Sequence, residues 1–327
     1  MIHQETMRAG VFRQSCEKCK FIHPPAKIKS TGPKQINKEQ PMDTGTFTGF
    51  DVRLDKPGIA WITFNEPEKL NGMNSAKKRD LIETLTQVQM DNAVRVVVFT
   101  GTGRGFCAGD DLRAYASHKA SENALVPPLP PGHDTPIGTY DGLRQISQAL
   151  NLAVRRLDKL SIAAINGIAI QTGLSLALSC DFKIAAQSAR LGSATLRFGL
   201  LPDEGGQYLL LQHMGLSRTM DFLMRKRIVS ADEALSLGLI NEVVPDAALL
   251  EKTSALALEL AQGPQVSQRL LKRSIYQAAE LSFEQALEDI AAKTAISDHH
   301  PDTREGVRAF QEKREPIFND WLKDYEE

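Results

Sequence analysis

A chain of 327 residues with 42% hydrophobic content and a formal net charge of −1 suits one large domain, or one domain with an appendage. The near-neutral charge gives no reason to expect nucleic acid, and no apolar run reaches the length of a membrane span. Four cysteines in a chain this long do not make a disulfide framework, so a reducing, cytoplasmic setting is the expectation.

Residues 1–41 carry eight Lys/Arg against three Glu, several prolines and little periodicity. They read as a disordered or loosely attached leader that joins no core, with the domain starting at Met42. A mitochondrial transit peptide is the rival, but the tail is Lys-rich rather than Arg-rich and lacks an amphipathic stripe. Cys16 and Cys19 with His3 and His23 offer zinc-type ligands. The histidines flank the pair instead of following it, and no metal is expected.

Residues 50–64 alternate like a hairpin around Gly58. Residues 75–91 have helical spacing through Leu81, Leu85 and Val88, with Asn74 or Ser75 as cap. Residues 95–100 read as a buried strand, 101–109 as a glycine-rich loop, and Asp110-Asp111-Leu112 as a helix opening. Residues 113–140 form a long insertion stiffened by Pro127, Pro128, Pro130 and Pro131. Residues 141–160 read as one amphipathic helix. Residues 162–178 give an apolar strand, a turn at Asn166-Gly167, and a helix opening at Gln171-Thr172-Gly173. The first turn of such a helix has unpaired N–H groups and positive potential, which suit an oxyanion. A short strand at 181–186 follows. Ser230 and Glu233 form a capping box, Gly238 stops that helix, and from 247 the chain is helical almost throughout.

The loop Phe106-Cys107-Ala108-Gly109-Asp110-Asp111 resembles the Phe-(Cys/Ser)-Ala-Gly-x-Asp pattern of the enoyl-CoA hydratase/isomerase (crotonase) superfamily. The segment from Asn166-Gly167-Ile168-Ala169 through Gln171-Thr172-Gly173 to Cys180-Asp181 resembles its second oxyanion loop. Phe64-Asn65-Glu66-Pro67, Ala231-Asp232-Glu233-Ala234 and Phe310-Glu312-Lys313-Arg314 support it, over roughly residues 50–322. The resemblance implies an α/β fold, a spiral of ββα units with a helical C-terminal trimerisation region. The division expected is 1–41 leader, 42–245 core and 246–327 oligomerisation helices, in a homotrimer or dimer of trimers. It also implies an acyl-CoA thioester substrate, with CoA part of the substrate and no separate cofactor.

By the same resemblance, the oxyanion donors are the N–H groups of Ala108 and Thr172. The two glutamates that hold water in the family's hydratases fall on Ser175 and Thr195, neither of which is a base without a partner. A third family position, used by isomerases, falls on Pro202-Asp203-Glu204-Gly205-Gly206. Either acid could be the catalytic base; Glu204 is preferred for its longer reach, and Asp203 then caps the next helix. Lys69, Leu70, Gly109, Asp110, Asp111, Leu112 and Gly173 would hold the CoA thioester, and Lys313 or Arg314 its phosphate. The activity expected is a 1,3-proton transfer that moves a double bond in an enoyl-CoA, with hydration as the alternative. Two other classes compete. Gly173-Leu174-Ser175-Leu176-Ala177, with His299 or His300 downstream, imitates a serine hydrolase elbow. The missing glutamates also permit a non-catalytic acyl-CoA binder.

Overall fold

The computed structural model describes residues 41–110 and 135–325. The leader through residue 40, with its cysteine pair, lies outside them, as do Asp111, Leu112 and the proline-rich insertion.

Strands β1 (Gly45–Phe47), β2 (Phe50–Asp55) and β3 (Ile59–Phe64) pair antiparallel. Helix α1 (Ser75–Met90) carries the chain to β4 (Val96–Gly101), parallel to β3, and then to β5 (Gly105–Cys107). Asn74 caps α1, its side chain accepting the Lys77 N–H at 2.8 Å. Helix α2 (Pro136–Gly142), a π turn (Leu143–Ser147) and α3 (Gln148–Arg156) lead to β6 (Leu160–Ile165), β7 (Ile168–Ile170) and α4 (Thr172–Ser179). Then come β8 (Phe182–Ala186), β9 (Arg190–Gly192), α5 (Gly206–Met214), α6 (Leu216–Met224), β10 (Ile228–Ser230), α7 (Ala231–Ser236) and β11 (Glu242–Val244). Helices α8 (Leu249–Gln262), α9 (Gln265–Ala278), α10 (Phe283–Asp298) and α11 (Pro301–Glu312) follow, and a 3-10 turn (Asp320–Tyr325) ends the described chain.

The strands form two sheets, one ordered β1-β2-β3-β4-β6-β8-β11 and the other β10-β9-β7-β5. A long strand followed by a short strand of the second sheet recurs at β4–β5, β6–β7 and β8–β9, which is the expected spiral of ββα units. Side-chain alternation explains why the long strands read as continuous apolar runs. Val97, Phe99, Ala163 and Ile165 face the core shared with the second sheet, and Val96, Val98, Ile162 and Ala164 face the other way. Helix α8 covers that other face with Leu249, Ala257 and Ala261.

Three local expectations are corrected. The helix expected over 141–160 stops at Arg156, because Leu157 turns to φ −57°, ψ 131° and Leu160 already pairs with Val96. A π turn also interrupts it. At α7 only half of the capping box forms: Ser230 Oγ accepts the Glu233 N–H at 3.2 Å, while the Glu233 carboxylate pairs with Arg227. A complete box sits at α10 instead, between Ser282 and Gln285.

The end of α4 is tied to α9 through one carboxylate. Asp181 Oδ2 accepts from the Ser161 N–H at 2.8 Å and from Lys272 Nζ at 2.7 Å, and Oδ1 accepts from the Tyr276 hydroxyl at 2.8 Å. The Lys272 side chain is 3% exposed, and burial pulls its pKa down. Removing one partner of a buried pair leaves the other charge uncompensated. Asp181→Ala should therefore lower the unfolding free energy by about 3–5 kcal/mol in urea titrations, against about 1 kcal/mol or less if the pair behaved as a surface contact.

Candidate active site

Glycines let the second sheet close on the loops of the first. A Cβ on Gly167 would lie 2.1 Å from the Arg104 carbonyl oxygen, and one on Gly173 would lie 2.0 Å from that of Cys107. Side chains would forbid both approaches. Two asparagines fix the loop ends. Asn166 Oδ1 accepts the Gly101 N–H at 3.0 Å while its Nδ2 donates to the Gly103 and Gly105 carbonyls. Asn71 Nδ2 donates to the Gly105 carbonyl at 2.7 Å.

The start of α4 therefore lies against the loop that ends in Asp110, and Glu204 meets both. Thr172 Oγ1 stands 2.7 Å from Asp110 Oδ1 and 2.5 Å from Glu204 Oε1. Gln171 Nε2 donates to Glu204 Oε2 at 2.9 Å, and Gln171 Oε1 accepts from Ser193 Oγ at 2.8 Å. Gln171 adopts φ +50°, at the first position of the glycine triplet in the family pattern Asn-Gly-x-Ala-x-Gly-Gly-Gly, with Thr172 at the second. A side chain in that region stores about 1–3 kcal/mol of strain, which its two hydrogen bonds help to hold. Asp110 Oδ2 accepts from Lys78 Nζ at 2.7 Å, and Lys78 also donates to Ser147 Oγ.

Glu204 is 4% exposed, and burial raises its pKa, with the Asp110 and Asp203 charges adding to the rise and Lys78 opposing it. Burial also raises the Asp203 pKa, with the Asp110 charge adding to it. Backbone contacts hold this turn: Gln148 donates to the Asp203 carbonyl and Asn151 to that of Glu204, at 3.0 and 2.9 Å.

Most sequence-predicted site residues are brought together. Leu70, Ala108, Gly109, Asp110, Thr172, Gly173 and Glu204 form one contiguous cluster. Lys69 borders it and pairs with Glu66 at 2.6 Å. Some expected roles are corrected. The Ala108 N–H is taken by the Leu70 carbonyl at 3.0 Å, so it does not point at a thioester. Further along, no acceptor takes the Asp110 N–H among the described residues. Asp203 does not cap α5, whose N-cap is Gly205 at φ +98° with no side-chain cap bond; it lines a cavity of about 350 Å³ instead. Lys313 ends α11 in a left-handed cap and makes no contact with the cluster among the described residues, while Arg314 is paired with Glu305. Ser175 lies buried inside α4 beside Gly206, and His300 caps α11 through Nδ1, so no hydrolase elbow forms. Sequence reading missed Gln171, Ser193 and Lys78. A glutamine in a family glycine position was the available signal.

The family model for enoyl-CoA hydratase/isomerase matches residues 55–129 and 132–321. The chain is 36% identical over 264 residues to the 1,2-epoxyphenylacetyl-CoA isomerase of Escherichia coli (strain K12), covering 80% of this chain and 95% of that protein. It is 36% identical over 275 residues to a probable enoyl-CoA hydratase of Mycobacterium bovis, covering 82% and 92%. The solved enoyl-CoA hydratase of Bacillus anthracis superposes with a TM-score of 0.75 at 30% identity, covering 83% of this chain and 99% of that one. With its ββα spiral and paired loops, this chain belongs to the enoyl-CoA hydratase/isomerase (crotonase) family.

Proposed function

We propose that the protein is an enoyl-CoA isomerase that moves a double bond by 1,3-proton transfer, with Glu204 as the base. The observation that carries this is the carboxyl of Glu204, 4% exposed and bonded to Thr172 at the start of α4, while the two hydratase positions hold only Ser175 and Thr195. Neither hydroxyl is a general base without a partner. The N–H of Thr172, first residue of α4, has no intrahelical acceptor, and with the Asp110 N–H it would receive the thioester oxygen. Glu204 would take a proton from carbon; the C–H electron pair enters the enolate, and the same proton returns to the far carbon. Leu70, Gly109 and Gly173 shape the slot for the thioester arm, with Lys69 offered to CoA phosphates. No group beyond these side chains and the substrate's own CoA is used. We place the enzyme in a reducing cytoplasm, consistent with Cys107 and Cys180 as buried free thiols.

Hydration is the competing reading, because several relatives are named hydratases and Asp203 stands beside Glu204 as a second acid. A panel of 2-enoyl, 3-enoyl and dienoyl-CoA thioesters followed by mass and ultraviolet absorbance separates them. Isomerisation keeps the mass and hydration adds a water. Turnover of none would leave an acyl-CoA binder. Glu204→Gln should cut the isomerase rate by about 10²–10⁴ with thioester binding nearly unchanged. Asp203→Asn should keep most of it, and loss of turnover only in Asp203→Asn would reverse the roles.

The raised Glu204 pKa fixes a pH dependence. A carboxyl whose folded pKa lies above its unfolded one contributes stability that is complete below the ordinary carboxylate range. That contribution is lost as pH rises through the folded value. Glu204→Gln has no such titration. Its melting temperature, relative to the parent's, should rise as pH increases above the ordinary carboxylate range, and a flat difference would contradict the burial argument.

Assembly is part of the proposal. Phe283 and Phe310 are 78% and 85% exposed, and Leu216, Leu271 and Ile275 also face outward. Such apolar faces suit burial between copies. Light scattering at micromolar concentration should give the mass of a trimer or a dimer of trimers; a monomer would refute this.

A further inference from the structure

One hydroxyl stands between two carboxyl groups in this site, and proton counting at that hydroxyl is restrictive. Thr172 Oγ1 lies at hydrogen-bond distance from both Asp110 Oδ1, at 2.7 Å, and Glu204 Oε1, at 2.5 Å. A hydroxyl has one proton to donate. If both acids were ionised, one of these short contacts would press lone pair against lone pair. The contacts are satisfied together only when one acid brings a proton of its own. Thr172 is fully buried and Glu204 nearly so, and no bulk water fills the gap between them at that distance.

We infer that the Thr172 hydroxyl joins Glu204 and Asp110 into a unit that holds one shared proton, and that moving this proton along the unit switches Glu204 between acid and base. In one arrangement Glu204 is protonated and donates to Thr172, which donates to the Asp110 carboxylate. In the other, the Glu204 O–H bond breaks, Thr172 Oγ1 takes that proton, and the hydroxyl's former proton passes to Asp110 Oδ1. Both hydrogen bonds reverse direction and no electrons are transferred. Glu204 is then an ionised base, with the Gln171 amide still donating to its second oxygen.

The switch keeps the charge of the cluster constant. Lys78 is 2% exposed and binds Asp110 Oδ2 at 2.7 Å. With one proton between the two acids, Lys78 and the pair sum to zero in either arrangement. Glu204 therefore ionises without changing the net charge of the cluster, while the negative charge moves inward from Asp110, whose side chain is 43% exposed, to a carboxyl held by Gln171 and Thr172. Asp203 is the remaining acid facing Glu204, and its carboxyl is also pushed toward the protonated form. Thr172 acts here as a positioning residue. A glycine, which the family pattern has at this position, would leave the two acids unlinked.

The inference rests on the reading of Glu204 as the base, but its test needs no substrate. The measurement is the infrared C=O band of protonated carboxyl groups in the ligand-free protein, titrated with pH and compared in light and heavy water. The parent should show a buried, exchange-sensitive band at neutral pH, which Glu204→Gln removes. Asp110→Asn should move its titration to lower pH, since Thr172 is then free to donate to an ionised Glu204. Thr172→Ser should titrate as the parent does. In Thr172→Val, or in Thr172→Ala if the valine protein does not fold by circular dichroism, Asp110→Asn should shift the band much less. Absence of the band in the parent at neutral pH would overturn the inference. So would an Asp110→Asn shift that is nil, or equally large without the hydroxyl, since burial or the field of Asp110 alone would then explain it. If the infrared results hold and no isomerase turnover is found, the shared proton stands and the assigned reaction fails.

Discussion

The site depends on one close approach, that of Gly173 to the carbonyl of Cys107. A helix start and a loop end are brought within backbone contact, and no side chain fits between them. From that contact the rest follows. Thr172 is set against Asp110, Gln171 adopts a positive φ, and the first-turn N–H groups of α4 are left without intrahelical acceptors. The asparagines at 71 and 166 hold the opposite side of the same slot through the Gly105 carbonyl. Stability and chemistry are therefore joined at the backbone level. Core packing fixes the strands, the strands fix the loops, and the loops leave only a few donors without partners.

The electrostatics of the slot rest on a balance between burial and neighbours. Glu204 and Asp203 are both pushed toward the neutral acid by burial, and Lys78 pulls in the opposite direction. Elsewhere the same balance serves packing alone. Asp181 gathers Lys272, Tyr276 and Ser161 at the far end of α4 and holds α9 to the sheet. Helix α4 thus has a polar cluster at each end and an apolar middle, with Leu174, Leu176 and Leu178 in the core.

Much of this was legible in the chain. Alternation in β2 and β3 and the strand–turn–helix punctuation at Asn166-Gly167 and Gln171-Thr172-Gly173 follow from local stereochemistry, which a sequence carries directly. The ordered family motifs gave the fold class. What was not legible depended on contacts distant in sequence. That Ala108 gives its N–H to Leu70 is a tertiary fact, invisible in the loop's own residues. Asp203 looked like a helix cap because acids suit helix starts, yet the positive φ of Gly205 turns the chain before α5 begins. The bridging role of Thr172 required two partners, 62 and 32 residues away along the chain.

Gln171 leaves the protein with an uneven mutational landscape. Glycine at that position would relieve the positive φ and lose both side-chain links, to Glu204 and to Ser193. A side chain without an amide's donor and acceptor at that reach would keep the strain and lose one link or both. The backbone and the carboxyl pocket therefore make opposing demands on a single codon. Drift away from glutamine has two separate destinations: a relaxed turn with a less constrained acid, or a strained turn with less to hold it.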